Sequence, residues 1–182
     1  NELAYLKALS HFSIREATYY LKIHVDSYIE AKGLNNEICA KILKLSEIMQ
    51  YVGMIDQSFI YLNKIVNYIE NSDNDRLKLA IYCAMGQLCF FTNEIKCAVE
   101  NYEKAFKLAD SLDEKIDPRA YYMAGNSYMY FSDYDSAIKY LTIGIDKAGD
   151  NTNVKFICYK SRGSVNAFYG NISLMLEDFS IA

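Results

Sequence analysis

A catalytic or metal site needs groups that ionise, ligate or attack, and this chain spaces few of them usefully. Its two histidines, His11 and His24, stand thirteen residues apart with no metal-type spacing around them. Each suits a surface or interhelical place better than a ligand set. The five cysteines, Cys39, Cys83, Cys89, Cys97 and Cys158, contain no C-x-x-C. Cys83 and Cys89 are six apart, which on a helix points them about 240° from one another and excludes joint ligation. Cysteines of this kind read as buried apolar residues, and Cys97 falls at a small-residue packing position. No phosphate-cradling glycine loop, zinc-protease helix or nucleophile elbow is present, and Gly163-Ser164 is a helix glycine with its neighbour. The expectation is a non-enzymatic protein without cofactor or metal.

Composition narrows the class further. The chain has 182 residues, 52% hydrophobic and 23% charged, which excludes a disordered segment. A net charge of −4, with lysines scattered singly, argues against nucleic-acid binding. No apolar run approaches the roughly 18–20 residues that span a bilayer. An odd cysteine count disfavours a purely intrachain disulfide framework, and free thiols favour a reducing compartment, so the cytoplasm is expected, with an exported protein that has lost its signal peptide as the alternative. Asn171-Ile172-Ser173 satisfies a glycosylation sequon but reads as a turn followed by a helix cap. The chain opens on Asn1 and stops inside a helical pattern at Ala182, so further repeats or another domain are expected in a longer parent.

Helices must position whatever the chain binds with. Between Ile95 and Ala109 apolar residues recur at Ala98, Val99, Tyr102, Ala105 and Phe106, the spacing of one helical face. Ser13 to Glu16 fits a capping box, Asp117-Pro118 an N-cap followed by Pro at the first helical position, and Ser132 to Asp135 a cap with a carboxylate three residues on. Turn signals stand at Gly33, Gly53, 71–74, 149–153 and 170–171. Together they predict ten helices, at 2–10, 14–31, 36–52, 55–70, 75–91, 94–112, 118–131, 134–148, 153–168 and 172–182. Short links make neighbours antiparallel hairpins, at about 1–34, 36–73, 75–114, 118–150 and 153–182, within one repeat domain.

These hairpins repeat. Gly86, Gly125 and Gly163 each follow an aromatic by four residues: Tyr82, Tyr121 and Tyr159. Ala98 and Ala137 come twelve residues after the first two glycines, and Tyr102, Leu141 and Phe179 sixteen after each. Ala105, Gly144 and Ala182 come nineteen after. This pattern resembles the tetratricopeptide repeat family, in which small residues at repeat positions 8 and 20 let two helices approach closely. Copies begin at 39, 79, 118 and 156, with Ser46 and Ser58 replacing the small pair in the first of these and Met175 at position 20 of the last. A weaker copy covers 1–34. Spacings of 38–40 residues exceed the family's usual length of about 34. The resemblance implies an all-α fold, a right-handed α-solenoid of antiparallel helix pairs forming a tetratricopeptide-like superhelix.

In the family, first-helix positions 2, 5, 9, 12 and 13 line a concave face. Position 9 is polar in every clear copy (Glu47, Gln87, Asn126, Ser164) and position 13 aromatic (Tyr51, Phe91, Tyr130, Phe168). Four residues apart on a helix, they share a face. Position 2 adds Arg119, and position 5 adds Tyr122 and Lys160. The resemblance thus implies a scaffold that holds a protein or peptide partner, with rings gripping apolar side chains and polar groups setting register. Core packing against the next hairpin is the competing reading for position 13. The family's Lys, Asn and Arg carboxylate clamp is not reproduced. Self-association through an unpaired face is a further expectation, and the sensor segment of a bacterial signalling or transcriptional regulator is the alternative to a plain scaffold.

Overall fold

The computed structural model describes residues 2–10 and 13–182. His11, and with it the expectation for that residue, lies outside them. The described residues form ten α-helices and no strand: α1 (Glu2–Ser10), α2 (Ile14–Lys32), α3 (Asn36–Tyr51), α4 (Ile55–Glu70), α5 (Asp75–Phe91), α6 (Ile95–Leu112), α7 (Pro118–Tyr130), α8 (Tyr134–Lys147), α9 (Thr152–Tyr169) and α10 (Ile172–Ile181). Every helix end falls within one residue of its predicted place. The chain divides into two compact units, 1–85 and 86–182, with the boundary inside α5.

One turn is used four times. Its left-handed residue is always repeat position 15: Gly53, Asn93, Ser132 and Gly170. The next amide donates back to position 11 in each case, Met54 to Met49, Glu94 to Cys89, Asp133 to Tyr128 and Asn171 to Asn166, at 2.8–3.1 Å. This is the Schellman helix end, in which a positive φ lets the chain satisfy the last carbonyls and reverse. Three helix starts differ from the expected caps. Asp133, rather than Ser132, caps α8 by accepting from the amide of Ser136, because Ser132 is taken up by the left-handed turn. Ser13 precedes α2 and Asn171 precedes α10 without a side-chain cap bond. The Asp117-Pro118 start of α7 is as read, with Asp117 accepting from the amide of Arg119.

In unit 1, buried Ile38, Ile42, Leu45 and Met49 of α3 and Leu62, Ile65 and Ile69 of α4 make the core, with Ala17, Leu21 and Val25 buried on α2. The two serines that replace small residues are fully buried and bond each other, Oγ to Oγ at 2.7 Å. Two hydroxyls thus satisfy one another where two helices cross too closely for larger groups. His24 is interhelical, its Nε2 lying 3.2 Å from Lys41 Nζ of α3.

In unit 2 the same crossing is made by glycine. A Cβ on Gly125 would stand 2.6 Å from Leu141 Cγ and 3.1 Å from the Ala137 carbonyl. Leu141 and Ala137 of α8 meet Val165 of α9 in one core cluster, and Ile145, Ala148, Val154 and Cys158 form another. The tyrosine excess is used between helices. Phe106 stacks on Tyr121 at 4.4 Å and on Tyr140 at 5.2 Å, and Tyr140 stacks on Tyr128 at 5.3 Å.

Two of the five cysteines are not the free buried thiols expected. Cys89 and Cys97 form a disulfide across the α5–α6 turn, with Cα atoms 5.7 Å apart, leaving Cys39, Cys83 and Cys158 as thiols. The Schellman turn places the end of α5 beside the start of α6, inside bonding reach. Free cysteine therefore loses weight as an argument for a reducing compartment.

Candidate binding face

The polar and aromatic positions of unit 2 come from the last two turns of three first helices. Gln87 and Phe91 end α5, Asn126 and Tyr130 end α7, and Ser164 and Phe168 end α9. The aromatics are open to solvent: Phe91 is 56% exposed, Tyr130 65% and Phe168 69%. None of the three is packed into the core of the described residues. The position-13 ring of each helix immediately precedes the Schellman reversal, so the chain departs before it can cover the ring. Phe131 and Tyr169, each next in sequence to one of these rings, are also exposed. The column reading missed both because it stopped at position 13.

The polar column is partly engaged with its own helices. Asn126 Nδ2 donates to the Tyr122 carbonyl at 2.8 Å and reaches Ser161 Oγ of α9 at 3.4 Å. Ser164 Oγ donates to the Lys160 carbonyl at 3.1 Å. Gln87 is exposed. The column therefore combines a bridging amide, a back-bonded hydroxyl and an open amide.

The cationic candidates divide. Arg119 forks onto Asp117, Nε to Oδ2 at 3.0 Å and Nη2 to Oδ2 at 2.5 Å, so an incoming carboxylate must compete with a resident one. The guanidinium hydrogen bond holds the Asp117 carboxyl below the usual carboxylate range. Lys160 is exposed and makes no ion pair among the described residues. Tyr122 is half-buried against both core clusters of unit 2, which fixes its ring rather than presenting it.

In unit 1, Tyr51 ends α3 and is 88% exposed, while Glu47 pairs with Lys44 at 3.0 Å. The hydrogen bond that Lys44 donates to Glu47 raises its ammonium above the ordinary value.

This arrangement suits non-covalent binding: exposed rings for apolar contact and amides and hydroxyls at their bases for hydrogen bonds. Among the described residues, no group of three or more His, Cys, Asp or Glu is placed to hold a metal ion, and no helix is long and apolar enough to cross a membrane.

The tetratricopeptide repeat family model matches at residues 79–111 and 118–142. No curated protein matches the chain. Solved structures do. MamA is 20% identical over 96% of this chain and 90% of its own, with a TM-score of 0.73. The nearly identical TPR-like repeats of a Podosopora anserina protein described as a kinesin light chain are 16% identical over 99% and 91%, with a TM-score of 0.73. YrrB, described as a TPR protein with an unusual peptide-binding site, is 13% identical over 86% and 89%, with a TM-score of 0.55. At these identities the likeness shows the fold, an α-solenoid of helix pairs.

Proposed function

We propose that this chain, which carries tetratricopeptide repeats, is a non-enzymatic scaffold that holds an extended peptide or a partner helix on the first-helix face of unit 2. The observation that carries this reading is the exposed row Phe91, Tyr130 and Phe168, one ring from each first helix of the unit. Scattered exposed apolar residues need no explanation, but rings at one register position of successive repeats make a patch of the kind that binds partners. Gln87, Asn126 and Ser164 lie one turn back from each ring and offer donors and acceptors to a peptide backbone. Affinity comes from ring burial and register from the polar column. A partner covering the row buries about 1,200–2,000 Å² in total.

The test begins with a peptide selected from a display library against the intact chain. Its affinity is then measured for wild type and for Asn126→Ala combined with Tyr130→Ala, with helicity checked by circular dichroism. Weakening of about tenfold or more is expected, the size of losing one central aromatic anchor. Equal affinity for the two proteins sinks the reading.

A further inference from the structure

We infer that unit 1 carries a second binding site, a cationic groove between α2 and α4 that takes an acidic peptide segment bearing an apolar side chain. Two adjoining cavities share Lys22. The larger, about 450 Å³, is lined by Lys22, Asp26, Gln57, Ile60, Tyr61 and Lys64. The smaller, about 320 Å³, runs between Arg15, Thr18, Tyr19 and Lys22 on one side and Val52 and Met54 on the other. The α2 residues fall at 15, 18, 19, 22 and 26 and the α4 residues at 57, 60, 61 and 64, each set one stripe of a helix.

The floor is built. Tyr61 Oη donates to Asp26 Oδ1 at 2.6 Å and joins the two helices. Lys22 Nζ donates to Asp26 Oδ2 at 3.2 Å. Asp26 is the only carboxylate among the described lining residues, and both its oxygens are therefore engaged. Burial and the Asp26 bond push the Tyr61 hydroxyl upward, so it stays a donor. Against this one carboxylate stand three cations. Lys64 Nζ rests 4.5 Å from the Tyr61 ring centroid and has no carboxylate partner among the described residues, nor does Arg15. The other acids of these helices, Glu16, Glu30, Asp56 and Glu70, do not line either cavity. The groove thus carries two net positive charges on a chain whose net charge is −4.

The apolar part fixes the class of ligand. Exposed Ile60 and Tyr19 flank the lysines, and Val52 and Met54 wall the smaller cavity. Arg15 and Lys22 lie about 10 Å apart along α2, too short a run of charge to track a nucleic-acid backbone. A carboxylate-bearing peptide with one leucine- or phenylalanine-sized side chain satisfies both the unmatched cations and the apolar wall.

The test titrates the full chain, isotope-labelled, with acetyl-Glu-Glu-Leu-Phe-Glu-amide and with the same peptide carrying Lys for Glu. The expected result is saturable NMR shifts at Arg15, Lys22 and Lys64 with the acidic peptide alone, weakened about tenfold by Arg15→Glu with Lys64→Glu and weakened again by added salt. Both positions are exposed, and circular dichroism checks that the double variant folds. Absence of saturable shifts, equal binding of the basic peptide, the same shifts produced by single-stranded nucleic acid, or binding unchanged by the double reversal would each overturn the assignment. Shifts confined to Phe91, Tyr130 and Phe168 would also overturn it and would point to the face in unit 2.

Discussion

Arg162 of α9 donates to Asp178 of α10 at 2.6 Å and to Thr142 of α8 at 2.9 Å, so one guanidinium ties three consecutive helices. Asp178 is 2% exposed and also accepts from Asn166 at 3.2 Å. A carboxylate so placed depends on its cation. Arg162→Ala is expected to destabilise the chain by about 3 kcal/mol, because an uncompensated charge stays buried, whereas Arg162→Met with Asp178→Asn, which removes both charges and keeps an acceptor for Asn166, should cost less. Urea unfolding of the two variants checks the order, and equal losses would contradict it.

The glycines at helix crossings and the residues at turns make opposite predictions. Gly125→Ala gains about 1 kcal/mol in helix propensity but drives a methyl to 2.6 Å from Leu141 Cγ, beside the backbone oxygen of Ala137. Overpacking of about 1–3 kcal/mol should win, leaving the variant less stable.

Ser132→Gly should do the reverse. Ser132 holds φ of 59° at the position where two other copies place glycine. Removing its Cβ relieves a left-handed strain of about 1 kcal/mol, so the melting temperature should rise. A fall would show that the serine side chain does more than occupy the turn.

Thiol counting tests the disulfide. Unfolded without reductant, the chain should release three equivalents with Ellman's reagent, from Cys39, Cys83 and Cys158, and five after reduction. Five before reduction would contradict the Cys89–Cys97 bond.

Alkaline stability follows from the buried thiols. Burial pushes Cys39 and Cys158 up to about 11. Their folded values exceed the unfolded value near 9, so their contribution is full below about pH 9 and is lost as pH rises through about 11. Urea midpoints should fall over that window, and fall less in a Cys39→Ala, Cys158→Ala chain. Equal falls in both proteins would assign the loss to other groups.

What was legible in the sequence follows the reach of each interaction. Helices were legible because their periodicity and their punctuation by Gly33, Gly53, Pro118 and Gly170 are local signals. The family pattern was legible because Gly86, Gly125 and Gly163 answer to partners a fixed sixteen residues away. The disulfide was not, since Cys89 and Cys97 meet only once the turn between them has a defined shape. Occupation of Arg119 by Asp117 was hidden by the same cap that marked the helix start. The groove of unit 1 joins Asp26 to Tyr61 across 35 residues, and no repeat register brings them together on paper.

The central claim is that the exposed row of unit 2 is where a partner sits. The most direct measurement is the NMR map of side-chain ring signals when a display-selected peptide is titrated into the full chain. The largest shifts should fall on Phe91, Tyr130 and Phe168, with Asn126 and Gln87 amides following at the same saturation. A saturable peptide that leaves those five residues unmoved would contradict the account.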